Sequence, residues 1–406
     1  MTLEIAQALA LIEERVTALD TEIVPLEDMV GRIVCEPVLA RFNLPAFDNS
    51  AMDGYAVTLE DAGTIIEVIG TVFAGDKPSF SIRQGKVVKI MTGAPIPEGT
   101  QAIVPIEKIV KDGDALRLPD QIKAQEHIRF VGEDIAIGDR IIESGQKIAA
   151  YQIALLASQG ISHVKVYRRP IVAVFASGEE LKMHFETVQD HQIYNSNAPT
   201  FLARAKDLGA QIRFIGSAKD NLNDIKAHIQ ASLDADLIVT SGGVSVGDAD
   251  FTKEAFDAFG IERLFDKINI KPGKPTSLGK IGRTWVLNLP GNPLAALLNF
   301  ELFGSKVLFN LSGNNASHHG VIQTQCGEDF SLYPGRVTVI PGCWNGVIFI
   351  PTKKRSPGML SPLIASNAIV IFDAKVSSVK KGDVLKILPL HLCINDKEAV
   401  DLITTV

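Results

Sequence analysis

Over residues 3–19 the apolar positions Ile5, Leu9, Ile12 and Val16 recur at steps of three and four, which lines one face of an α-helix. An opening amphipathic helix is predicted. From residue 33 to about 147 this period gives way to short β-branched runs at 65–72, 86–91 and 102–106, separated by Gly and Pro. That stretch reads as a β-rich module. Helical spacing returns over 149–160, so the module reads as an insertion between two helices expected to pack on each other.

After Pro170 an apolar strand, a small-residue loop and a helical pattern repeat to about residue 310. The predicted strands are 171–176, 211–216, 236–240, 265–270 and 284–289. Leu237, Ile238 and Val239 are apolar on both faces, as in a strand covered by helices on each side. Asn197 before Ala198-Pro199 predicts an N-cap with proline in the first turn. The fold class is thus multidomain α/β plus β, with a parallel sheet at its centre. Beyond Gly313, short runs at 337–340, 347–351, 368–372 and 384–388 predict a terminal β-barrel or sandwich. The division expected is 1–45 with 140–170 as an elongated helical linker domain, 46–139 as the inserted β-rich domain, 171–313 as the α/β domain and 314–406 as the terminal barrel domain.

The 406 residues are 46% apolar and 21% charged, which fits a chain with several buried cores and excludes a disordered or fibrous one. The longest uninterrupted apolar run covers only 171–176, so no membrane span is expected. Glu4, Glu13, Glu14 and Arg15 sit inside the opening helix pattern instead of a basic start and an apolar block, so a cytoplasmic location is expected. A net charge of −7 gives no global field for nucleic acid or anionic lipid. Cys35, Cys326, Cys343 and Cys393 lie too far apart for a zinc or disulfide pattern. His318 and His319 follow a polar stretch at 314–317 and read as part of a solvated linker loop.

In an open α/β sheet, ligands bind beyond the carboxyl ends of the strands. The predicted strands end in Ser177-Gly178-Glu179-Glu180, in Asp220, in the run Ser241-Gly242-Gly243-Val244-Ser245-Val246-Gly247-Asp248-Ala249-Asp250, in Lys271-Pro272-Gly273-Lys274-Pro275 and in Pro290-Gly291-Asn292-Pro293. The glycine run offers free backbone N–H groups to phosphate oxygens, although such a loop equally serves tight turning. Glu180, Asp220 and Asp250 beside it make sense around a phosphate if a divalent cation, magnesium, bridges the two. Lys271 and Lys274 offer charge to an anion, or else form a solvated turn. In the β module, Asp48-Asn49-Ser50 with Asp53, the loop 91–99 containing Thr92, and Glu133-Asp134 are turn formers whose function stays open on residue type alone.

Taken together, the segments 47–56, 91–99, 132–135, 177–181, SGGVSVGDAD, KPGKP and LPGNP resemble the molybdopterin molybdenumtransferase family, MoeA and the gephyrin E domain, over nearly the whole chain. The resemblance implies a MogA-like three-layer α/β domain flanked by β domains, in an elongated homodimer. It implies transfer of molybdenum from molybdate onto adenylyl-molybdopterin with release of AMP and a requirement for Mg2+. Molybdopterin adenylyltransferase activity, or a gephyrin-like non-catalytic scaffold, is the alternative. Molybdopterin adenylyltransferase and molybdoenzyme maturation proteins are the implied partners. By family motif, Asp53, Thr92, Asp134, Glu180, Asp220 and Asp250 are the catalytic candidates, with Glu180, Asp220 and Asp250 as metal ligands. Ser177, Gly178, Ser241, Gly242, Gly243, Ser245, Lys271, Lys274, Pro290 and Pro293 are the substrate-binding candidates. Asn195 stands where the family commonly has Asp, Glu179 replaces a usual Asp, and 356–362 follows the family pattern loosely.

Overall fold

The computed structural model describes residues 2–77, 80–112, 115–242 and 251–390. At its centre is a six-stranded sheet in the order Gln211–Ala218, Ile171–Ser177, Leu237–Ser241, Thr284–Leu289, Ser277–Ile281, Glu262–Phe265. The first four strands are mutually parallel, and Ser277–Ile281 runs antiparallel to its two neighbours. Alternate residues serve opposite faces, as the two-residue period of a strand demands. Val172, Val174, Leu237, Val239, Trp285 and Leu287 pack with Ala198, Phe201 and Ala205 of helix Asn197–Asp207. Phe175, Ile238 and Val286 face Ile225 and Ile229 of Leu222–Gln230, and Ala255 and Phe256 of Phe251–Ala258. The result is the three-layer domain expected.

Two local expectations are corrected. The single strand predicted over 265–270 is three short pieces. Glu262–Phe265 stays in the sheet, Lys267–Ile268 pairs with Thr2–Leu3, and Ile270–Lys271 pairs with the C-terminal barrel. Asp266 and Asn269, polar breaks within the apolar run, mark the points where the chain changes partner. Asn197 is the first helical residue and not the cap, and Ala198 N–H is instead taken by the side-chain oxygen of Asn195, at 3.1 Å.

The helix Pro293–Leu311 is long and apolar enough to cross a membrane by length and composition, and it is buried against the sheet as the core helix. Its middle, Phe300–Gly304, is a π-bulge. The opening helix, Ile5–Arg15, lays Ile5, Ala8 and Ile12 on this core helix beside Val307, Leu308 and Leu311. It does not pack on Ala150–Ser158, whose Leu156 belongs to a separate core with Val24, Met29, Val34 and Val166. Amphipathic spacing defines a buried face without naming its partner. The buried Lys306 ammonium pairs with Glu13 and reaches the Ser317 carbonyl and hydroxyl, each at 3.1 Å, which ties the helix in place. His319 is likewise no solvated linker residue: half-buried, it donates from Nε2 to the Leu302 carbonyl of the π-bulge at 2.8 Å.

The insertion is a second six-stranded sheet, ordered Ala102–Pro105, Gly54–Val57, Lys86–Ile90, Ile65–Val72, Ala115–Arg117, Val110–Asp112. Short antiparallel pairs, Asn49–Ser50 with Ile128–Arg129 and Val38–Leu39 with Arg140–Ile142, form its neck. After residue 320, Val337–Trp344, Ile348–Pro351, Ile322–Cys326, Val384–Pro389 and Ala368–Phe372 pair in that order, and the last returns to the first. This is a closed five-strand barrel filled by Ile340, Phe349, Val370, Leu385 and Ile387. Closure leaves no free sheet edge.

Candidate functional site

Strand Ile171–Ser177 has Gln211–Ala218, the next strand of the same sheet, on one side and Leu237–Ser241 on the other. The chain therefore reverses its direction of travel across the sheet there, and the loops leaving the two strands diverge to open a crevice. A cleft of about 790 Å³ lies at that point. Ser177, Gly178, Glu180, Asp220, Ser241, Gly242, Pro290 and Pro293 all line it, so two predicted carboxylates and six predicted binding residues share one crevice. Glu180 and Asp220 are exposed on its rim. Gly243, Ser245 and Asp250 lie outside the described residues.

The floor of the cleft is built by close backbone approach. Gly242 has φ +99°, and a β-carbon there would overlap the Ser177 carbonyl. Only glycine fits that position without displacing the neighbouring loop. Asn197, 6% exposed, donates its amide hydrogens to the Gly291 carbonyl at 2.8 Å and the Ser241 hydroxyl at 3.3 Å. One side chain thus fastens two cleft loops to the start of a helix. Sequence reasoning assigned it a capping role and missed this one. It also missed Thr252, and it left Asn292 and Gly358 out of the site although it had named their loops; all three line the cleft. The segment 356–362 enters through Gly358, and beside it the Pro357 carbonyl accepts from Leu294 N–H at 2.9 Å.

Lys271 and Lys274 are exposed and do not line this cleft. The Lys271 ammonium lies 5.3 Å from the Tyr333 ring centre, a cation–π contact toward the barrel domain. Their loop is anchored from below: buried Asn299 donates to the Pro272 carbonyl at 3.2 Å and to Ala295 O at 2.7 Å. Pro275 is the member of this loop that reaches the cleft.

Asp53 and Thr92 meet in the inserted domain. The Thr92 backbone N–H donates to Asp53 Oδ1 at 2.7 Å and its hydroxyl donates to the same oxygen at 2.8 Å. These two donors, with Lys89 nearby, hold the Asp53 carboxyl below the usual carboxylate range. Asp134 is exposed on the neck of the insertion, where its N–H donates to Leu44 O. None of these three lines the α/β cleft. Among the described residues no group of three or more His, Cys, Asp or Glu could hold a metal ion. Glu180 and Asp220 offer two carboxylates, a donor set suited to an ion that takes its remaining ligands from phosphate and water.

Three regions of the chain match the MoeA N-terminal region (domain I and II) over residues 3–160, a probable molybdopterin binding domain over 173–310 and the MoeA C-terminal region (domain IV) over 323–390. The molybdopterin molybdenumtransferase of Haemophilus influenzae is 35% identical over 384 residues, covering 91% of this chain and 94% of that protein. The chain belongs to the molybdopterin molybdenumtransferase family. A Staphylococcus epidermidis member is 30% identical over 378 residues, covering 89% of this chain and 90% of its own. The crystal structure of a molybdopterin biosynthesis MoeA protein from Pyrococcus horikoshii superposes with TM-score 0.85 at 25% identity, covering 96% of this chain and all of that one. Within this family's architecture the Asp53–Thr92 pair falls in the N-terminal region and the cleft in the molybdopterin binding domain.

Proposed function

We propose that this chain transfers molybdenum from molybdate to the dithiolene of adenylyl-molybdopterin and releases AMP. The observation that carries the reading is the convergence of Glu180, Asp220, Gly178 and Gly242 on one crevice at the reversal point of the sheet, within a chain-long family match. Backbone amides of the two glycine loops can orient phosphate oxygens, and the cramped floor excludes solvent from beneath them. Glu180 and Asp220 are the residues that would hold Mg2+ against the diphosphate. When bound, that ion neutralises charge developing on the phosphate oxygens. The substrate supplies the sulfur ligands for molybdenum, so scattered cysteines are no obstacle.

The Asp53–Thr92 pair reads as a second contributor to the site. Because it does not line this chain's own cleft, we place it against the cleft of the partner subunit in a homodimer, working in the cytoplasm. Lys271 and Lys274, at the outer margin, then serve anionic substrate groups arriving between the domains. The test is a discontinuous assay with adenylyl-molybdopterin, magnesium chloride and molybdate. AMP should appear on molybdate addition and fall at least about a hundredfold in Asp220→Asn, as loss of a charge-stabilising contact predicts. Formation of adenylyl-molybdopterin from ATP without any molybdate-triggered AMP would replace this reading by adenylyl transfer.

A further inference from the structure

Asn299 breaks the pattern of the core helix. Residues 294–300 are all buried, and it alone among them carries a polar side chain. Its amide nitrogen donates to the Pro272 carbonyl at 3.2 Å and to Ala295 O at 2.7 Å, while its buried Oδ1 meets no partner among the described residues. Both acceptors are carbonyls, which cannot donate, so turning the amide over would lose both bonds. Leaving the oxygen unpaired costs more than a typical hydrogen bond returns, and a leucine in this apolar helix would avoid that cost. Local stability therefore gives no reason for the amide.

What the amide holds is the turn between two lysines. Ile270–Lys271 pairs with barrel strand Val337–Trp344, and the Lys274 carbonyl accepts from Ile268 N–H at 3.0 Å. Between these fixed ends Gly273 has φ +105°, and a β-carbon on it would overlap the Asn299 amide nitrogen. The hydroxyl of fully buried Thr276 donates to the Gly273 carbonyl at 2.8 Å. Two buried side chains thus grip the consecutive carbonyls of Pro272 and Gly273 and set the backbone geometry that separates Lys271 from Lys274.

We infer that Asn299, assisted by Thr276, is a positioning residue that presets Lys271 and Lys274 for the oxyanion groups of the substrates. The inference rests on the anion-binding reading of the two lysines given above and adds the groups that fix their separation. A turn held in advance leaves less to be ordered when the anion arrives, so the benefit is in binding. Asn299 does not line the cleft. Its loss should therefore weaken substrate binding and spare the chemical step.

The experiment is steady-state AMP release by the full chain with magnesium chloride, varying molybdate at saturating adenylyl-molybdopterin and then the reverse. Asn299→Leu should raise at least one KM about tenfold and leave kcat within about twofold. The substrate whose KM rises is the one whose oxyanion meets the lysines. In a Lys271→Ala/Lys274→Ala background the same substitution should add less than about twofold, because the groups it positions are gone. Thermal melting checks that Asn299→Leu folds. Thr276→Val removes the second grip at nearly constant shape, is held to the same expectations, and carries the test if Asn299→Leu does not fold. Unchanged KM values in both variants, a fall in kcat alone, or a tenfold rise that persists in full without the lysines would overturn the positioning role and keep the lysines as anion contacts. Wild-type KM values in the Lys271→Ala/Lys274→Ala protein would instead overturn the anion-binding reading, and this inference with it.

Discussion

Asp53 and Thr92 are thirty-nine residues apart in sequence and share one oxygen through two short hydrogen bonds. That pairing favours the ionised carboxylate, so its contribution to stability is present above the ordinary carboxylate range and is lost as pH falls through the lowered value. Thr92→Val removes one donor and keeps the backbone one. The Asp53 titration, followed by carboxyl NMR, should move up toward its usual value, and turnover should drop roughly tenfold, as loss of one charge-assisted contact predicts. An unmoved titration would show that the hydroxyl bond is unimportant. Gly242 makes a different kind of prediction, because positive φ and contact with the Ser177 carbonyl both oppose a side chain. Gly242→Ala should lose about 2 kcal/mol or more in urea unfolding. In the sequence this glycine read as one member of a phosphate-binding or tight-turning run; its requirement comes from a carbonyl sixty-five positions away.

At the scale of elements, the core helix and its π-bulge depend on side chains from distant segments. His319 donates to the bulge at Leu302, and burial holds its pKa below the ordinary 6.5. Glu301, Lys306 and His318 are the charged groups facing it, and Phe309 packs on its ring. The folded state therefore keeps His319 neutral where the unfolded chain would protonate it, so stability falls as pH drops below about 6.5 toward the lowered value. His319→Gln, which retains an N–H donor, should flatten this part of the melting temperature against pH curve. An unchanged slope would assign the acid sensitivity elsewhere. The helix and strand patterns themselves were largely readable from spacing: Thr284–Leu289 and Ala368–Phe372 lie where the apolar runs put them. Ser277–Ile281 was missed, because its Gly279 and Lys280 break the β-branched signal that a strand paired on both sides does not need.

For the whole molecule, the opening helix stabilises the α/β domain across nearly three hundred residues of chain. Ile12→Ala, at a fully buried position, should cost about 3 kcal/mol. Proteolysis during partial unfolding should show the loss in the α/β domain and leave the core around Leu156 and Val166 unaffected. The reverse pattern would place the helix in the linker domain. The proposed homodimer makes a complementary prediction. Verified mixed dimers of Asp53→Ala and Asp220→Ala should recover up to about half the wild-type activity, one intact site in two, although neither parent is active. Absence of recovery between two inactive parents would place both residues in one subunit's own site, and an active Asp53→Ala parent would remove Asp53 from the chemistry.

Periodicity along the chain determined most of the elements, and residue type at the strand ends determined which residues were expected to gather, because both are local properties of a backbone with fixed repeats. Glu180, Asp220, Ser241 and Pro290 could be gathered from the sequence on the expectation that strand ends share an edge. Tertiary structure alone decided which surface the opening helix covers, that Lys271 turns toward Tyr333, and that Asn197 fastens the Ser241 and Gly291 loops to one helix. Those outcomes depend on distances between segments far apart in the chain, and no local pattern encodes such distances.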